Sequence, residues 1–137
     1  MKKVSHIINH LGEDRESYSN AVAPPIYQTS NFCFDSVNDL RESLDKEYEK
    51  PFYTRGYNPT VAMLRQKMAA LEGAEDALVF ASGAAAIAAA VMSVVGDGDH
   101  LICVKKPYSW TGKLLGEYLT KYGVRTTFVD GSNVSNF

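Results

Sequence analysis

The spacing of apolar residues divides the chain into an irregular first part and a regular second part. From about residue 58 onward, apolar positions recur at helical spacing and alternate with short apolar runs typical of buried strands. Asn58 is a helix cap followed by proline at the first helical position, and Gly73 ends that helix. The pattern then predicts a strand at 76–81, a helix at 83–95, a strand at 100–104, a helix at 109–122 and a strand at 124–129. Alternating strands and helices favour an α/β fold with a parallel sheet.

Residues 1–60 show much less periodicity. One amphipathic helix is predicted over about 36–49, with Ser36 as its cap. The stretch 26–34 is predicted to be extended. A long segment with so little regular structure is unusual inside one compact domain. We therefore expect residues 1–60 to form an intersubunit arm with one helix. Residues 61–137 are expected to form the first part of an α/β domain. Because such a domain normally continues beyond a third strand, the chain is expected to be truncated or a fragment.

Composition narrows the class of protein. Of the 137 residues, 45% are hydrophobic and 22% are charged, as in ordinary soluble globular proteins. A net charge of -2 gives no electrostatic argument for binding nucleic acid or an anionic membrane. No apolar run is long enough to span a bilayer, and the first residues lack the apolar centre of a secretory signal. We therefore expect a cytoplasmic protein without nucleic-acid or membrane partners.

The cysteines and histidines do not indicate a disulfide framework or a metal site. Cys33 and Cys103 lie far apart in apolar, strand-like runs, and we expect them to be buried free thiols. His6 and His10 have the spacing of one helix face. No cysteine or carboxylate cluster accompanies them, so no bound metal is expected.

Two short motifs together suggest a phosphate-binding site. Ser82-Gly83-Ala84 follows an apolar run and begins a helix, whose free backbone N–H groups and positive dipole end suit an anion. Arg55, two residues after Tyr53, has a planar guanidinium that can hold two phosphate oxygens. Each feature alone has a common structural explanation: packing at the turn, ion pairing of the arginine, or half-burial of the tyrosine ring.

Tyr108 follows the predicted strand at 100–104, at the edge where open parallel sheets bind ligands. Its ring is placed to stack on a flat heterocycle, although packing explains its spacing equally well. Trp110 nearby is consistent with a core position. The chain has neither the G-x-G-x-x-G dinucleotide fingerprint nor a P-loop, so those two classes of nucleotide site are excluded.

A series of short segments, in this order and spacing, resembles the N-terminal part of a known family. The segments are Val22-Ala23-Pro24-Pro25-Ile26-Tyr27-Gln28-Thr29-Ser30, Tyr53-Thr54-Arg55, Asn58-Pro59-Thr60, Leu71-Glu72-Gly73-Ala74-Glu75, Phe80-Ala81-Ser82-Gly83, Gly98-Asp99, Tyr108 and Phe128-Val129-Asp130. They resemble the Cys/Met-metabolism, or transsulfuration, family of pyridoxal-phosphate enzymes. That family includes cystathionine gamma-synthase, cystathionine gamma-lyase and methionine gamma-lyase. The resemblance implies the aspartate-aminotransferase-type fold, here in its N-terminal part.

The resemblance also implies roles for individual residues. Ser82, Gly83 and Ala84 would bind the phosphate of pyridoxal 5'-phosphate, the last two through backbone N–H groups. Tyr53 and Arg55 would reach that phosphate from the neighbouring subunit, so that sites are shared across a homodimer, usually within a homotetramer. Tyr108 would stack on the pyridine ring and assist proton transfer, and Tyr53 would help the leaving group. Tyr53 and Tyr108 are therefore the candidate catalytic residues.

The reaction implied is β- or γ-elimination, or γ-replacement, on a sulfur amino acid such as cystathionine, methionine or cysteine, or on O-acylhomoserine. The sequence around Tyr108, and alanine at position 84, depart from the common family pattern and leave the subfamily open. The family's Schiff-base lysine lies further along a complete chain. None of Lys105, Lys106, Lys113 and Lys121 has its sequence context, so residues 1–137 alone are expected to be inactive.

Two alternatives stay open. One is a non-catalytic oligomerisation or regulatory remnant of the same fold. The other is a different nucleotide- or phosphate-binding α/β domain.

Overall fold

The fold is taken from a computed structural model that describes residues 3–136. The chain forms two compact units, which divide between Val79 and Phe80. The division between the two units follows from the contacts within each unit and does not test the predicted arm. The predicted organisation into an intersubunit arm over 1–60 and an α/β part over 61–137 stays a prediction.

The first unit contains helices α1 (Val4–His10), α2 (Val37–Asp45) and α3 (Pro59–Glu72), with a 3-10 turn at Arg15–Tyr18. Two of these helices confirm the sequence prediction, because their caps are local. The Ser36 hydroxyl accepts the N–H of Asp39, and the side chain of Asn58 accepts the N–H of Thr60. Helix α1 was not predicted from the sequence: it has seven residues and no side-chain cap, and it packs on α3.

The stretch 26–34 is extended, as predicted, but forms no continuous strand. Its one ladder contact is an isolated antiparallel bridge between Asn31 and Tyr53. The prediction that Cys33 is buried is wrong, since its side chain is exposed. Cys103 in the second unit is only half-buried, and both cysteines are free thiols.

Glu13 ties the first residues of the chain to α3. Its carboxylate side chain is only 6% exposed and accepts hydrogen bonds from Lys67 Nζ at 2.6 Å and Arg15 Nη2 at 2.9 Å. Lys67 Nζ also donates to the carbonyl of Ile8 at 2.8 Å. The bond from Lys67, and after it the bond from Arg15, hold the pKa of Glu13 below its usual value.

Replacing Glu13 by glutamine is expected to lower the melting temperature by roughly 5 °C near neutral pH. The substitution leaves the Lys67 ammonium without its charge partner. Because the folded-state pKa is depressed, the carboxylate stabilises the fold above the ordinary glutamate pKa of 4.5 and stops doing so as the pH falls through the folded value. Melting curves by circular dichroism at about pH 7 and about pH 3 should therefore show the difference between wild type and variant shrinking in acid.

Glu42→Gln is the matched control for this prediction. Glu42 also pairs with a lysine, Lys50, at 3.2 Å, but its side chain is 67% exposed. An exposed ion pair contributes little to stability, so the control should have the same melting temperature as the wild type. A Glu13→Gln deficit that is the same at both pH values would contradict the ion-pair explanation.

The second unit contains α4 (Gly83–Met92), strand β1 (His100–Val104), a helical segment and strand β2 (Arg125–Val129). The strands pair in parallel, from His100 opposite Arg125 to Val104 opposite Val129. This pairing confirms the predicted parallel arrangement. The helical segment was predicted as one helix over 109–122. It consists instead of α5 (Ser109–Lys113), a π-helical turn (Leu114–Tyr118) and a 3-10 turn (Leu119–Tyr122).

The predicted strand at 76–81 is not formed. Polar groups at its start are bonded to side chains instead of to a neighbouring strand. Arg65 Nε donates to the carbonyl of Ala77 at 2.7 Å, and the Arg65 guanidinium contacts the carboxylate of Asp76. Asp76 in turn accepts the N–H of Ala77 at 2.7 Å.

The core of the second unit lies between the helical segment and the sheet. Leu115, Leu119 and Val124 are buried, and they are covered by half-buried apolar residues: Val91, Val95, Leu101, Cys103, Leu114 and Phe128. Gly123 reverses the chain between the last helical turn and β2 at φ +77°. Any other residue would be strained at this φ, and its Cβ would collide with the carboxylate of Asp97, so glycine is favoured.

No helix within residues 3–136 has the length and apolar character needed to cross a lipid bilayer.

Candidate functional site

The N-terminus of α4 presents two uncommitted backbone donors. Ser82 caps the helix, and its Oγ accepts the N–H of Ala85 at 3.1 Å. The carbonyl of Ser82 accepts the N–H of Ala86 at 3.1 Å. The N–H groups of Gly83 and Ala84 have no acceptor among residues 3–136. They are the free donors that a bound anion needs.

The space beside these donors is open. Gly83 and Ala84 are exposed, and a Cβ built on Gly83 would meet no atom within 4 Å. The first turn of α4 carries no acidic side chain that would repel an anion. Since α4 has ten residues, the positive end of its dipole adds to the attraction for a phosphate.

Tyr108 lies immediately before α5, and its side chain is 61% exposed, so its ring faces are accessible. The core position expected for Trp110 is wrong, because this residue is 58% exposed. Lys113 Nζ lies 4.8 Å from the centre of the indole ring. Trp110 lines a cavity of about 450 Å³ that Ala84, Ile87, Ala88, Thr111, Lys113, Leu114, Glu117, Tyr118 and Lys121 also line.

The first unit holds Tyr53 and Arg55 together. The guanidinium carbon of Arg55 lies 5.0 Å from the centre of the Tyr53 ring, in a cation–π contact. Its nearest carboxylate in the ion pairs of residues 3–136 is that of Glu47, at 4.0 Å. With 75% of its side chain exposed, Arg55 is available to an external anion.

The structure therefore assembles the predicted site residues as two sets, each within its own unit. Tyr53 and Arg55 form one set, and Ser82, Gly83 and Ala84 form the other, with Tyr108 at the start of α5. Their roles toward a cofactor stay predictions. A further residue, Asn58, was assigned from the sequence only as a helix cap within a family-like segment. Its second set of contacts joins it to Tyr27, 31 residues away, which local pattern cannot reveal.

Comparison with known proteins shows what the chain is similar to. Residues 5–137 match the family model described as Cys/Met metabolism PLP-dependent enzyme. The chain is 38% identical to L-methionine gamma-lyase of Treponema denticola over 93% of its own length and 31% of the relative. It is 35% identical to O-acetyl-L-homoserine sulfhydrylase of Corynebacterium glutamicum over 88% of its length and 28% of the relative.

A solved structure supports the same fold. The chain superimposes on the crystal structure of metB from Corynebacterium glutamicum with a TM-score of 0.84 and 32% identity, covering 98% of this chain and 33% of that one. This likeness confirms the predicted fold class. The chain spans about a third of the length of the relatives it matches.

Proposed function

The chain belongs to the family of Cys/Met metabolism PLP-dependent enzymes, and we propose that it forms the N-terminal, phosphate-binding part of a site for sulfur amino acids. The observation that carries this proposal is the pair of free N–H groups at the start of α4, beside open space at Gly83. The reaction class is elimination or replacement at the β or γ carbon. The substrates are cystathionine, methionine, cysteine or O-acylhomoserine.

The residues present fit the phosphate of pyridoxal 5'-phosphate. Two backbone N–H groups, at Gly83 and Ala84, supply uncharged donors. The helix dipole and the guanidinium of Arg55 supply positive charge. The hydroxyl of Ser82 accepts a bond from Ala85, so its own hydrogen is left to donate to a phosphate oxygen.

The two tyrosines are assigned to the reacting part of the cofactor and substrate. The exposed ring of Tyr108 would stack on the pyridine. When bound, pyridoxal phosphate supplies an electron sink for the charge left at the α carbon of an amino acid. The hydroxyl of Tyr53, whose ring carries the Arg55 guanidinium over its face, would donate a proton to the departing group. Both roles follow from the resemblance, and the exposure of the Tyr108 ring supports the first of them. Tyr53 is half-buried.

We also assign Arg55 to the site of the neighbouring subunit, which makes a homodimer the active unit. The exposure of its guanidinium supports this assignment, since the nearby Glu47 carboxylate leaves most of the side chain accessible. In a two-fold dimer, a contact between residue i of one subunit and residue j of the other occurs a second time with the subunits exchanged, so the dimer would form two such shared sites.

Mixing two defective variants tests this sharing. Arg55→Ala lacks the guanidinium, and Gly83→Pro lacks one backbone donor. Mixed dimers would contain one site with both groups intact, so an equal mixture should recover about a quarter of the wild-type sites. Pyridoxal phosphate binding, measured after the subunits have exchanged, reports the recovery. Binding no better than the mean of the two variants would place Arg55 and Gly83 of the same subunit in one site.

Titration with pyridoxal phosphate tests the proposed function itself. Equilibrium dialysis should show saturable binding of pyridoxal phosphate, and pyridoxal without its phosphate should bind much more weakly. A chain that shows no saturable binding would favour the non-catalytic remnant. Equal affinity for the two compounds would contradict the phosphate site.

We further propose that residues 1–137 bind the cofactor without turning over substrate, because none of Lys105, Lys106, Lys113 and Lys121 has the sequence context of the family's Schiff-base lysine. Borohydride reduction followed by mass spectrometry should then show no stoichiometric label. Labelling of Lys105, Lys106, Lys113 or Lys121 in every molecule would overturn this proposal.

A further inference from the structure

We propose that Asn58 is a positioning residue for Arg55. Its side-chain amide joins the loop from Tyr53 to Thr60 to the extended stretch from Tyr27 to Asn31, and so fixes the place at which the guanidinium meets an anion. This inference rests on the proposed function, since it concerns the same phosphate.

The amide of Asn58 makes hydrogen bonds in two directions. Nδ2 donates to the carbonyl of Tyr27 at 3.0 Å and to Thr54 Oγ1 at 3.2 Å. Oδ1 accepts the N–H of Thr60 at 3.0 Å. Asn58 is only 7% exposed, so water competes little for these bonds. One side chain therefore caps α3 and ties the loop to the extended stretch.

Further hydrogen bonds join the same two stretches on either side of Arg55. After it, Thr60 Oγ1 accepts the N–H of Tyr27 at 3.0 Å. Before it, the N–H of Thr54 donates to the carbonyl of Ser30 at 3.0 Å, and Thr54 Oγ1 donates to the carbonyl of Thr29. Arg55 thus lies in a loop that is held at both ends.

The loop is closed tightly in between. The N–H groups of Gly56 and Tyr57 donate to the carbonyl of Tyr53 at 2.9 and 3.1 Å. A Cβ on Gly56 would lie 2.5 Å from the carbonyl oxygen of Glu47, so the backbone next to Arg55 packs closely against that of Glu47. The side chain of Arg55 is exposed, while hydrogen bonds hold the backbone on either side of it.

This arrangement orders the backbone of Arg55 before any anion arrives. Ordering a loop on binding weakens affinity, and a preformed loop avoids that loss. If Asn58 preforms the loop, its removal should weaken binding of the phosphate group and leave binding of the rest of the cofactor unchanged.

The test measures phosphate discrimination, the ratio of the dissociation constants of pyridoxal and pyridoxal 5'-phosphate, in the purified protein. Asn58→Ser keeps an oxygen that can cap α3 and loses the amide donor to Tyr27. Thr60→Val removes the acceptor for the N–H of Tyr27 and leaves Asn58 in place. Each is expected to lower the discrimination about 5-fold, a loss typical of an ordering cost.

Two controls separate positioning from general destabilisation. Ser36→Ala removes the cap of α2 in the same unit, outside the network, and should leave the discrimination unchanged. In an Arg55→Ala background, Asn58→Ser should have no further effect, because Asn58 acts through Arg55. If Asn58→Ser fails to fold, Thr60→Val carries the test.

Reduced discrimination in a folded Asn58→Ser protein, or in Thr60→Val where Asn58→Ser does not fold, supports the inference if the loss is absent in the Arg55→Ala background. Unchanged discrimination in a folded Asn58→Ser protein, or in Thr60→Val where Asn58→Ser does not fold, overturns it, and the proposed function still stands if Arg55→Ala alone lowers the ratio. A ratio that Arg55→Ala does not lower overturns the proposed function and this inference with it.

Discussion

Replacing Arg55 by alanine is expected to weaken the retention of pyridoxal phosphate about 10- to 100-fold, which corresponds to the roughly 1.5–3 kcal/mol of a charged hydrogen bond. The guanidinium is exposed and its ion pair with Glu47, at 4.0 Å, is long. An anion that binds to Arg55 would therefore disturb only this weak ion pair. Equilibrium dialysis against pyridoxal phosphate measures the change directly.

The fold should survive this substitution. Exposed ion pairs contribute little to stability, so the free energy of unfolding should change by less than about 0.5 kcal/mol. Arg41→Ala is the matched control, because Arg41 is an exposed arginine on α2 in the same unit. It should retain pyridoxal phosphate like the wild type.

Arg55→Lys separates charge from geometry. Lysine keeps the positive charge but lacks the planar fork that holds two oxygens, so it should recover only part of the lost affinity. Affinity for pyridoxal, which has no phosphate, should be the same in all of these variants. Unchanged affinity of Arg55→Ala for pyridoxal phosphate would show that Arg55 is not part of the phosphate site.

The elements that could be predicted from the sequence are those whose signals are local. Helices α2 and α3 begin where Ser36 and Asn58 provide caps, and α3 ends at Gly73 in the left-handed conformation. The parallel strands follow from short apolar runs that alternate with helices. The candidate phosphate donors belong to the same class, since a capping serine and the next two N–H groups are adjacent in sequence.

Features that depend on distant contacts could not be predicted. Helix α1 forms against α3, and Glu13 reaches Lys67 across 54 residues. The apolar run at 76–81 has the composition of a strand, but a strand also needs a paired neighbour, and Arg65 takes the carbonyl of Ala77 instead. The helical spacing of apolar residues also did not reveal that the helix widens into a π turn at 114–118.

The site illustrates the same division. Tyr53 and Arg55 are two residues apart in the sequence and Ser82 and Gly83 are adjacent, and the structure keeps these local sets together. What holds the first set in place is Asn58, through a carbonyl 31 residues away. A residue that reads as a simple helix cap therefore carries a second, non-local task.

Gly83→Pro is expected to remove one phosphate donor while leaving α4 intact. Gly83 is the first residue of the helix, where proline is favoured because its missing N–H would have no helical partner. Ser82 before it is extended, at φ -154° and ψ 155°, which is the conformation that a following proline requires. Helix content by circular dichroism and the melting temperature should match or exceed those of the wild type.

Affinity for pyridoxal phosphate should nevertheless fall about 10- to 100-fold, since a backbone donor to a charged group contributes roughly 1.5–3 kcal/mol. Gly83→Ala is the matched control: it keeps the N–H, and its Cβ would meet no atom within 4 Å. Weak binding by the proline variant and near-normal binding by the alanine variant would assign the loss to the N–H itself. If both variants lose the same affinity, the added bulk beside the donors is the cause. Normal binding by a folded Gly83→Pro protein would show that the phosphate binds elsewhere.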